Sequence, residues 1–430
     1  MVVGGAVRDA LLGLEPKDVD WLVADARVAA EDLASRLGGS VFALDEVRGH
    51  WRVLTGERTI DLITQQGTLE TDLEARDFTI NAIALREDGL FDPLGGMRDL
   101  AAGELVACSE SALLDDPLRG LRGVRFVATL PLSWSDATRD QARRAATAIG
   151  NNALPMPAHE RMRDELIHVL LAARPGDALL DAHDLGWLAL WLPSLVEGEG
   201  IRQGGLHHLD VLHHQLEAVQ RLATAFPEAD VALRLATLLH DVGKPATRTR
   251  GPLGRVQFHG HAELGARLAE RDLRRLRFDR ATIVRVGLLV GWHMIPLPRS
   301  GRATRRFVHR RREALPDLLS LMLADREAAR GRLATVASRR HYRESVGHIL
   351  SVLHASPPLE PLLDGETVMA LLGLAPGPRV GQALRFVEEA RAVGDLTTVA
   401  EARDALLAYA EKQGWRESAE PDEARVRTSD

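Results

Sequence analysis

Asp18 and Asp20 fall in the apolar run DVDWLV, and a strand turns residues two apart to the same side, so the pair presents two carboxylates about 7 Å apart to one face. Hard carboxylate oxygens suit Mg²⁺. Two such ions about 3.5–4 Å apart can activate an attacking hydroxyl and stabilise a leaving pyrophosphate. Asp61, in TIDLIT, is a candidate third carboxylate on a neighbouring strand. Gly4 and Gly5 lie between a short apolar strand and a helix start, where open backbone N–H groups suit phosphate oxygens. Asp116 and Arg119 are three apart, a spacing that shares one helical face. The carboxylate accepts from an exocyclic amine and the guanidinium donates to a ring nitrogen or carbonyl, a pair that fits cytosine or adenine and rejects uracil or guanine. Arg122 and Arg125 continue that face toward phosphates. Further along, LATLLHDVGKPATR sets His240 beside Asp241 in an apolar helical stretch. Both can ligate one metal, with neutral imidazoles from other helices completing the shell.

These residues need two kinds of scaffold. Up to about Leu100, strand-like runs (MVV, VDWLVA, RVLT, TIDLIT, AIAL) alternate with helical stretches, which predicts an α/β unit with a small mixed sheet. Beyond it, Ala, Leu, Arg and Glu at helical spacing predict an all-α body. A chain of 430 residues with 45% hydrophobic content can form several cores. Cys108 is the only cysteine, which excludes an internal disulfide framework and a thiolate metal site. The longest apolar runs fall short of the roughly 20 residues a spanning helix needs, and the N-terminus lacks a leader pattern, so a cytoplasmic protein without membrane contact is expected. The net charge of -7 does not announce an RNA partner, but arginines crowd 271–277 and 302–312, stretches suited to phosphates. Lysine occurs only at 17, 244 and 412, and two of the three stand beside the proposed metal ligands.

The order GGAVRD, PKDVDWLV, RDFTINAIA, DPLGG, DDPLRGLRGVRF and ERMRDE over residues 1 to about 200 resembles the class II tRNA nucleotidyltransferase and bacterial poly(A) polymerase family. The resemblance implies a polymerase-β-like head using Mg²⁺ on Asp18 and Asp20, with a nucleoside triphosphate and an RNA 3′ hydroxyl as substrates. Gly4, Gly5, Arg8, Arg76, Asp77 and Asn81 would then meet the nucleotide's sugar and phosphates. Asp116, Arg119, Arg122 and Arg125 match the family's base-templating and phosphate-reaching positions, braced by Glu160 and Arg161. Two motifs depart from the family's wording: EDxxR reads Asp115-Asp116, and RRD reads Ala75-Arg76-Asp77. Only 15 residues separate Asp61 from Asp77, where members that complete CCA carry a longer loop. Members that add two cytidines lack it, which implies CC addition from CTP at the tRNA 3′ end, with a separate A-adding enzyme finishing the tail. Full CCA addition, with ATP as a further substrate, and poly(A) synthesis are the close alternatives.

Residues 205 to 330 resemble the HD superfamily of metal-dependent phosphohydrolases, with His214, His240, Asp241, His261, His293 and Asp325 in the ligand positions. The resemblance implies Mg²⁺ or a divalent transition metal there, Lys244 neutralising phosphate charge, and a phosphohydrolase or cyclic phosphodiesterase side activity. A different class of reading is an HD phosphohydrolase with an inactive head. The expected layout is an α+β fold: a head at 1–105, a helical neck at 106–200, an HD domain at 201–345, a C-terminal helical module binding tRNA at 346–415, and a disordered tail at 416–430. Recognition by shape, at the acceptor stem and elbow, is expected because aromatics make up only 4% of the chain.

Overall fold

The computed structural model describes residues 1–16, 19–56, 58–251, 255–356 and 360–415. Asp18, Lys17 and the expected tail lie outside them. The head is one mixed seven-stranded sheet, β1 (Val2–Val3), β2 (Val19–Val23), β3 (Ser40–Asp45), β4 (His50–Thr55), β5 (Arg58–Thr64), β6 (Ala84–Arg86) and β7 (Gly89–Phe91), in the order β3-β4-β5-β2-β1-β6-β7. β2 and β5 run parallel, and their register sets Asp20 directly beside Asp61.

Helix α1 (Gly5–Leu11) follows β1, and α2 (Ala26–Leu37) follows β2. The Asp25 side chain accepts from the Val28 N–H to start α2, and Gly38 in the left-handed region ends it. Ala26, Ala30 and Ala34, spaced by four, bury against Val53 and Leu62 of the sheet. The other face packs Val3, Leu22, Leu73, Ala82 and Ala84 into a second core. A short helix α3 (Leu69–Glu74), capped by Thr68, fills most of the connection from β5 to Arg76.

The body is helical, as expected from its spacing, apart from two short strand pairs at 104–105 with 133–134 and 249–250 with 256–257. The helices that carry chemistry are α4 (Leu118–Thr129), α5 (His159–Leu171), α6 (Val211–Ala225), α7 (Val231–Leu239), α8 (His261–Arg275), α9 (Arg280–Trp292), α10 (Gly301–Arg311), α11 (Leu315–Ala328), α12 (Val336–Ala355) and α13 (Pro378–Val393). No helix among the described residues is long and apolar enough to cross a membrane.

The chain divides into two compact units. One is Met1–His293 with Ala324–Ala334, so the head, the neck and all six HD positions share it; the other is Met294–Leu323 and everything from Thr335. The expected boundary at 345/346 falls inside α12, whose Val346, Ile349 and Leu353 pack with Phe307, Val308, Leu315 and Leu319. A continuous helix with a continuous apolar stripe cannot be a domain border. In the second unit, Arg306 and Arg310 of α10 pair with Glu389 of α13, Arg302 pairs with Asp395, and Arg305 donates to the Val393 carbonyl.

Candidate active sites

In the head, Gly4 takes φ +77°, a conformation open to glycine at no steric cost. A Cβ there would come within 2.8 Å of the Arg76 guanidinium and 3.5 Å of the Asp20 carboxylate, so these opposite charges converge on the β1–α1 turn. The Gly4 N–H donates to Ile83, so that one amide is not open to phosphate as its sequence position suggests. Arg52 of β4 grips Asp61 with two hydrogen bonds of 2.6 Å, which fixes the orientation of this carboxylate beside Asp20.

Behind the turn runs a buried polar chain. Arg8 donates to Asn81 Oδ1 at 2.6 Å and to Asp9, and Asn81 Nδ2 donates to Asp77 at 3.0 Å. Asp77 also accepts from the Phe78 N–H and pairs with Arg122 at 2.8 Å. Burial alone would raise the Asp77 carboxyl, but Arg122, Asn81 and the Phe78 amide together hold it below the usual range. Arg8, Asp77 and Asn81, all expected at the nucleotide, are thus turned on one another, while Arg76 lies beside Asp20.

The templating pair differs in form from its expected place on one helical face. Asp116 precedes α4 in extended backbone (φ -133°, ψ 96°), because Pro117 disfavours the helical region for the residue before it. Its Oδ1 accepts from the Leu118 N–H, and Oδ2 lies 3.7 Å from Arg161. Arg119 donates instead to the carbonyls of Ala75, Arg76 and Ala112, tying α4 to the end of the short β5–Arg76 connection. Arg125 pairs at 2.7 Å with Glu165 of α5, largely out of solvent, rather than pointing to solvent phosphates. Burial lowers Arg125 and raises Glu165, each partly offset by the other's charge. Glu165 therefore braces this helix more closely than Glu160, which lies 3.9 Å from Arg277. The RDE of ERMRDE contained this residue without marking which carboxylate faces inward.

The arginine stretches make contacts within the fold while most of their side chains remain exposed. Arg275 donates to Leu190 and Trp191 carbonyls, Arg271 to Ser194, and Arg274 pairs with Glu270. With the α10 pairs to Glu389 and Asp395, these contacts tie several of the arginines to neighbouring helices while Arg274, Arg302 and Arg310 stay more than half exposed.

All six HD positions come together. His214 projects from α6 and Asp325 from α11, with His214 Nε2 2.9 Å from Asp325 Oδ1. His240 stands at the C-terminal end of α7 with Asp241 just beyond it, His293 at the C-terminal end of α9, and His261 opens α8. Gly243 allows that arrangement, since a Cβ on it would lie 2.1 Å from the His261 carbonyl oxygen. His240, His261 and His293 repeat one device. Each Nδ1 meets the carbonyl three residues back (Thr237, Phe258, Val290) at 2.7–2.8 Å, which assigns the proton to Nδ1 and leaves Nε2 as a bare donor atom turned inward.

His214, His240 and Asp325 form one set of possible metal ligands, and Asp241, His261 and His293 another. His240 Nε2 and Asp241 Oδ1 are buried without a hydrogen-bond partner, as expected of atoms shaped for a cation. Burial opposes charge on His240, but Asp241 and Asp325 outweigh it and raise the imidazole to about 10, so with no cation bound Nε2 carries a proton, the place a metal ion would take. The donor set of imidazole and carboxylate suits a divalent transition metal or Mg²⁺. Lys244, itself buried, donates to Asp241 Oδ2 at 2.5 Å and to Gln203 at 2.6 Å. Gln203 and His207 were not singled out by sequence. His207 stacks edge-on to His214 at 4.4 Å, and burial together with His214 and Lys244 pushes it down to about 3. Only the need of a buried lysine for a second acceptor could have pointed to Gln203.

Two family models match this chain, a poly A polymerase head domain over residues 54–106 and an HD domain over 207–330. The A-adding tRNA nucleotidyltransferase of Deinococcus radiodurans is 50% identical over 96% of this chain and 95% of its own. The CC-adding tRNA nucleotidyltransferase of Thermus thermophilus is 44% identical over 98% and 96%. Among solved structures, the Bacillus stearothermophilus CCA-adding enzyme in complex with CTP shares the fold, with a TM-score of 0.64 at 22% identity over 96% of this chain and 93% of that one.

Proposed function

The chain belongs to the tRNA nucleotidyltransferases, and from that membership we propose that it adds two cytidines from CTP to the 3′ end of tRNA. The relatives divide between A and CC addition, so similarity does not decide the nucleotide count. The observation that carries CC addition is the connection from β5 to Arg76, which is short, mostly the capped helix α3, and pinned at its end by Arg119. It leaves no long flexible segment to rearrange for a third, different base. In the reaction the tRNA 3′ oxygen bonds to the α-phosphorus of CTP, the bond to pyrophosphate breaks, and the hydroxyl proton leaves to solvent or a nearby carboxylate. Asp20, with Asp18 and Asp61, would hold Mg²⁺, which supplies charge neutralisation for the attacking and leaving oxygens when bound. Arg76 places a guanidinium beside Asp20 for the triphosphate. Asp116 would accept the cytosine amine, and Arg119 would donate to its ring acceptors while its other bonds hold the pair in place. The test is extension of tRNA ending at the discriminator base, at C and at CC, with CTP and ATP supplied separately. Incorporation of C alone on the first two supports the reading, and efficient A addition to the CC end overturns it.

A second activity is favoured by the completeness of the histidine centre. All six donors converge, three imidazoles are held in the ligating tautomer, and Lys244 stands at the carboxylate. A divalent cation there supplies Lewis-acid polarisation of a phosphate ester. Lys244 and Gln203 orient the polar wall, and burial excludes bulk water. Hydrolysis of a 2′,3′-cyclic phosphate is the proposed reaction: a ring P–O bond breaks, water's oxygen bonds to phosphorus, and the released sugar oxygen takes a proton. His240→Ala with Asp241→Ala should abolish it and spare cytidine addition; unchanged hydrolysis overturns the assignment.

A further inference from the structure

We infer that Phe42 is the stacking platform for the base at the 3′ end of the tRNA being extended, a positioning residue whose assignment rests on the nucleotidyl transfer proposed above.

Strand pairing sets four side chains on one line across four strands. Phe42 of β3 lies opposite Arg52 of β4, Arg52 opposite Asp61 of β5, and Asp61 opposite Asp20 of β2. Residues paired in this way share a face of the sheet. Alternation along β3 turns Val41 toward the core beneath α2 and Phe42 to the other face, that of the carboxylates. Phe42 is 40% exposed there, and Leu54, on the same face two residues after Arg52, is 41% exposed. With strands about 4.8 Å apart, Phe42 stands about 10 Å from Asp61, within reach of the base of a nucleotide whose 3′ oxygen lies at that carboxylate.

The strand order decides which substrate passes over this line. Asp20 of β2 has the Gly4 turn and Arg76 on its β1 side and Asp61 on its β5 side. Arg76 serves the triphosphate in the proposed reaction. In-line displacement sets the attacking oxygen opposite the leaving pyrophosphate, hence on the Asp61 side, and the RNA then leads outward over β4 and β3. Arg52 is held to Asp61 by two hydrogen bonds, and the next group on the line is an aromatic face instead of a donor or acceptor. That chemistry fits what the position must accept. The end base changes from the discriminator base to cytosine between the first and second additions, so hydrogen bonds that read one would reject the other. Every base has a π-face, and stacking on an aromatic ring tolerates the change.

The test uses the full chain and tRNA ending at the discriminator base, either intact, abasic at that last nucleotide, or carrying 2-aminopurine as its last base. Phe42→Ala and Phe42→Leu should each raise KM for intact tRNA about tenfold with KM for CTP unchanged, and Phe42→Tyr should restore it. Abasic tRNA should show the raised KM with the parent and no further rise with either variant. The 2-aminopurine fluorescence should be quenched on binding the parent and remain on binding Phe42→Leu, which keeps an apolar side chain but no π-face. Parental KM or parental quenching in Phe42→Leu overturns the assignment, whatever the alanine variant does. Quenching is read without any nucleotide and is scored apart from the chemistry. Quenching lost in Phe42→Leu, in a protein that adds A and not C, keeps the platform and removes the cytidine reading; cytidine addition with quenching retained does the reverse.

Discussion

In the head, nearly every charged group near the turn of Gly4 has an opposite partner of its own: Asp61 has Arg52, Asp77 has Arg122, and Arg8 has Asp9. In the histidine centre the reverse holds, with acceptors turned toward one another and only Lys244 among them as a fixed cation. The contrast fits what each site is proposed to receive. A nucleoside triphosphate would arrive with its own charge and counter-ions, so a strand edge with balanced side chains could wait for it. A resident metal would instead be matched in advance by inward-facing donors, and backbone carbonyls near helix ends orient them by accepting the Nδ1–H hydrogen bond of an imidazole three residues on.

Breaking one site should leave the other working, and the largest separation comes from the metal-side carboxylates. Asp20→Ala should lower CTP incorporation by about 10³-fold while cyclic phosphate hydrolysis stays at the parental rate. His240→Ala should cut hydrolysis by about 10²-fold, with incorporation unchanged and metal content reduced. Loss of both activities in either variant would mean that the two sites are not independent. Glu165→Ala strands Arg125 in a buried position, so urea unfolding should show a loss of about 3 kcal/mol, a cost that a merely exposed pair would not give. Arg119→Lys keeps the charge but loses the fork that reaches three carbonyls, and kcat/KM for CTP should fall about tenfold while hydrolysis is unmoved.

The smallest effect is on pH. Burial, and then Asp77, push the Cys108 thiol up to about 12 from its ordinary value near 9. Below pH 9 the thiol is neutral in both folded and unfolded chains and contributes nothing. Between 9 and 12 only the unfolded chain ionises, so folded stability declines as pH rises through that window. Native alkylation at pH 9 should be slow and become fast on denaturation; rapid native labelling would show an exposed thiolate.

The HD positions were legible because the local His240-Asp241 step and the order of His214, His261, His293 and Asp325 resemble the HD superfamily, whose domain model matches residues 207–330. The head was legible as strands and motifs, but the fate of its charges was not. Asp116 left the helix because of Pro117, a local rule that the three-residue spacing ignored. For the arginines at 302–312 a sequence shows density of charge and not the distant Glu389 and Asp395 with which Arg302, Arg306 and Arg310 pair.

By itself the sequence limited the candidate chemistries to two, since carboxylates two apart, an Asp-x-x-Arg pair and a His-Asp step each restrict what can be bound wherever they are placed. Tertiary structure decided which groups are free to bind. The parallel register brought Asp20 beside Asp61, packing turned Arg125 onto Glu165, and helix ends from four separate segments met around Asp241. Hydrogen bonds and ion pairs between residues far apart in the chain depend on distances of a few ångströms, and those distances exist only once the chain has folded.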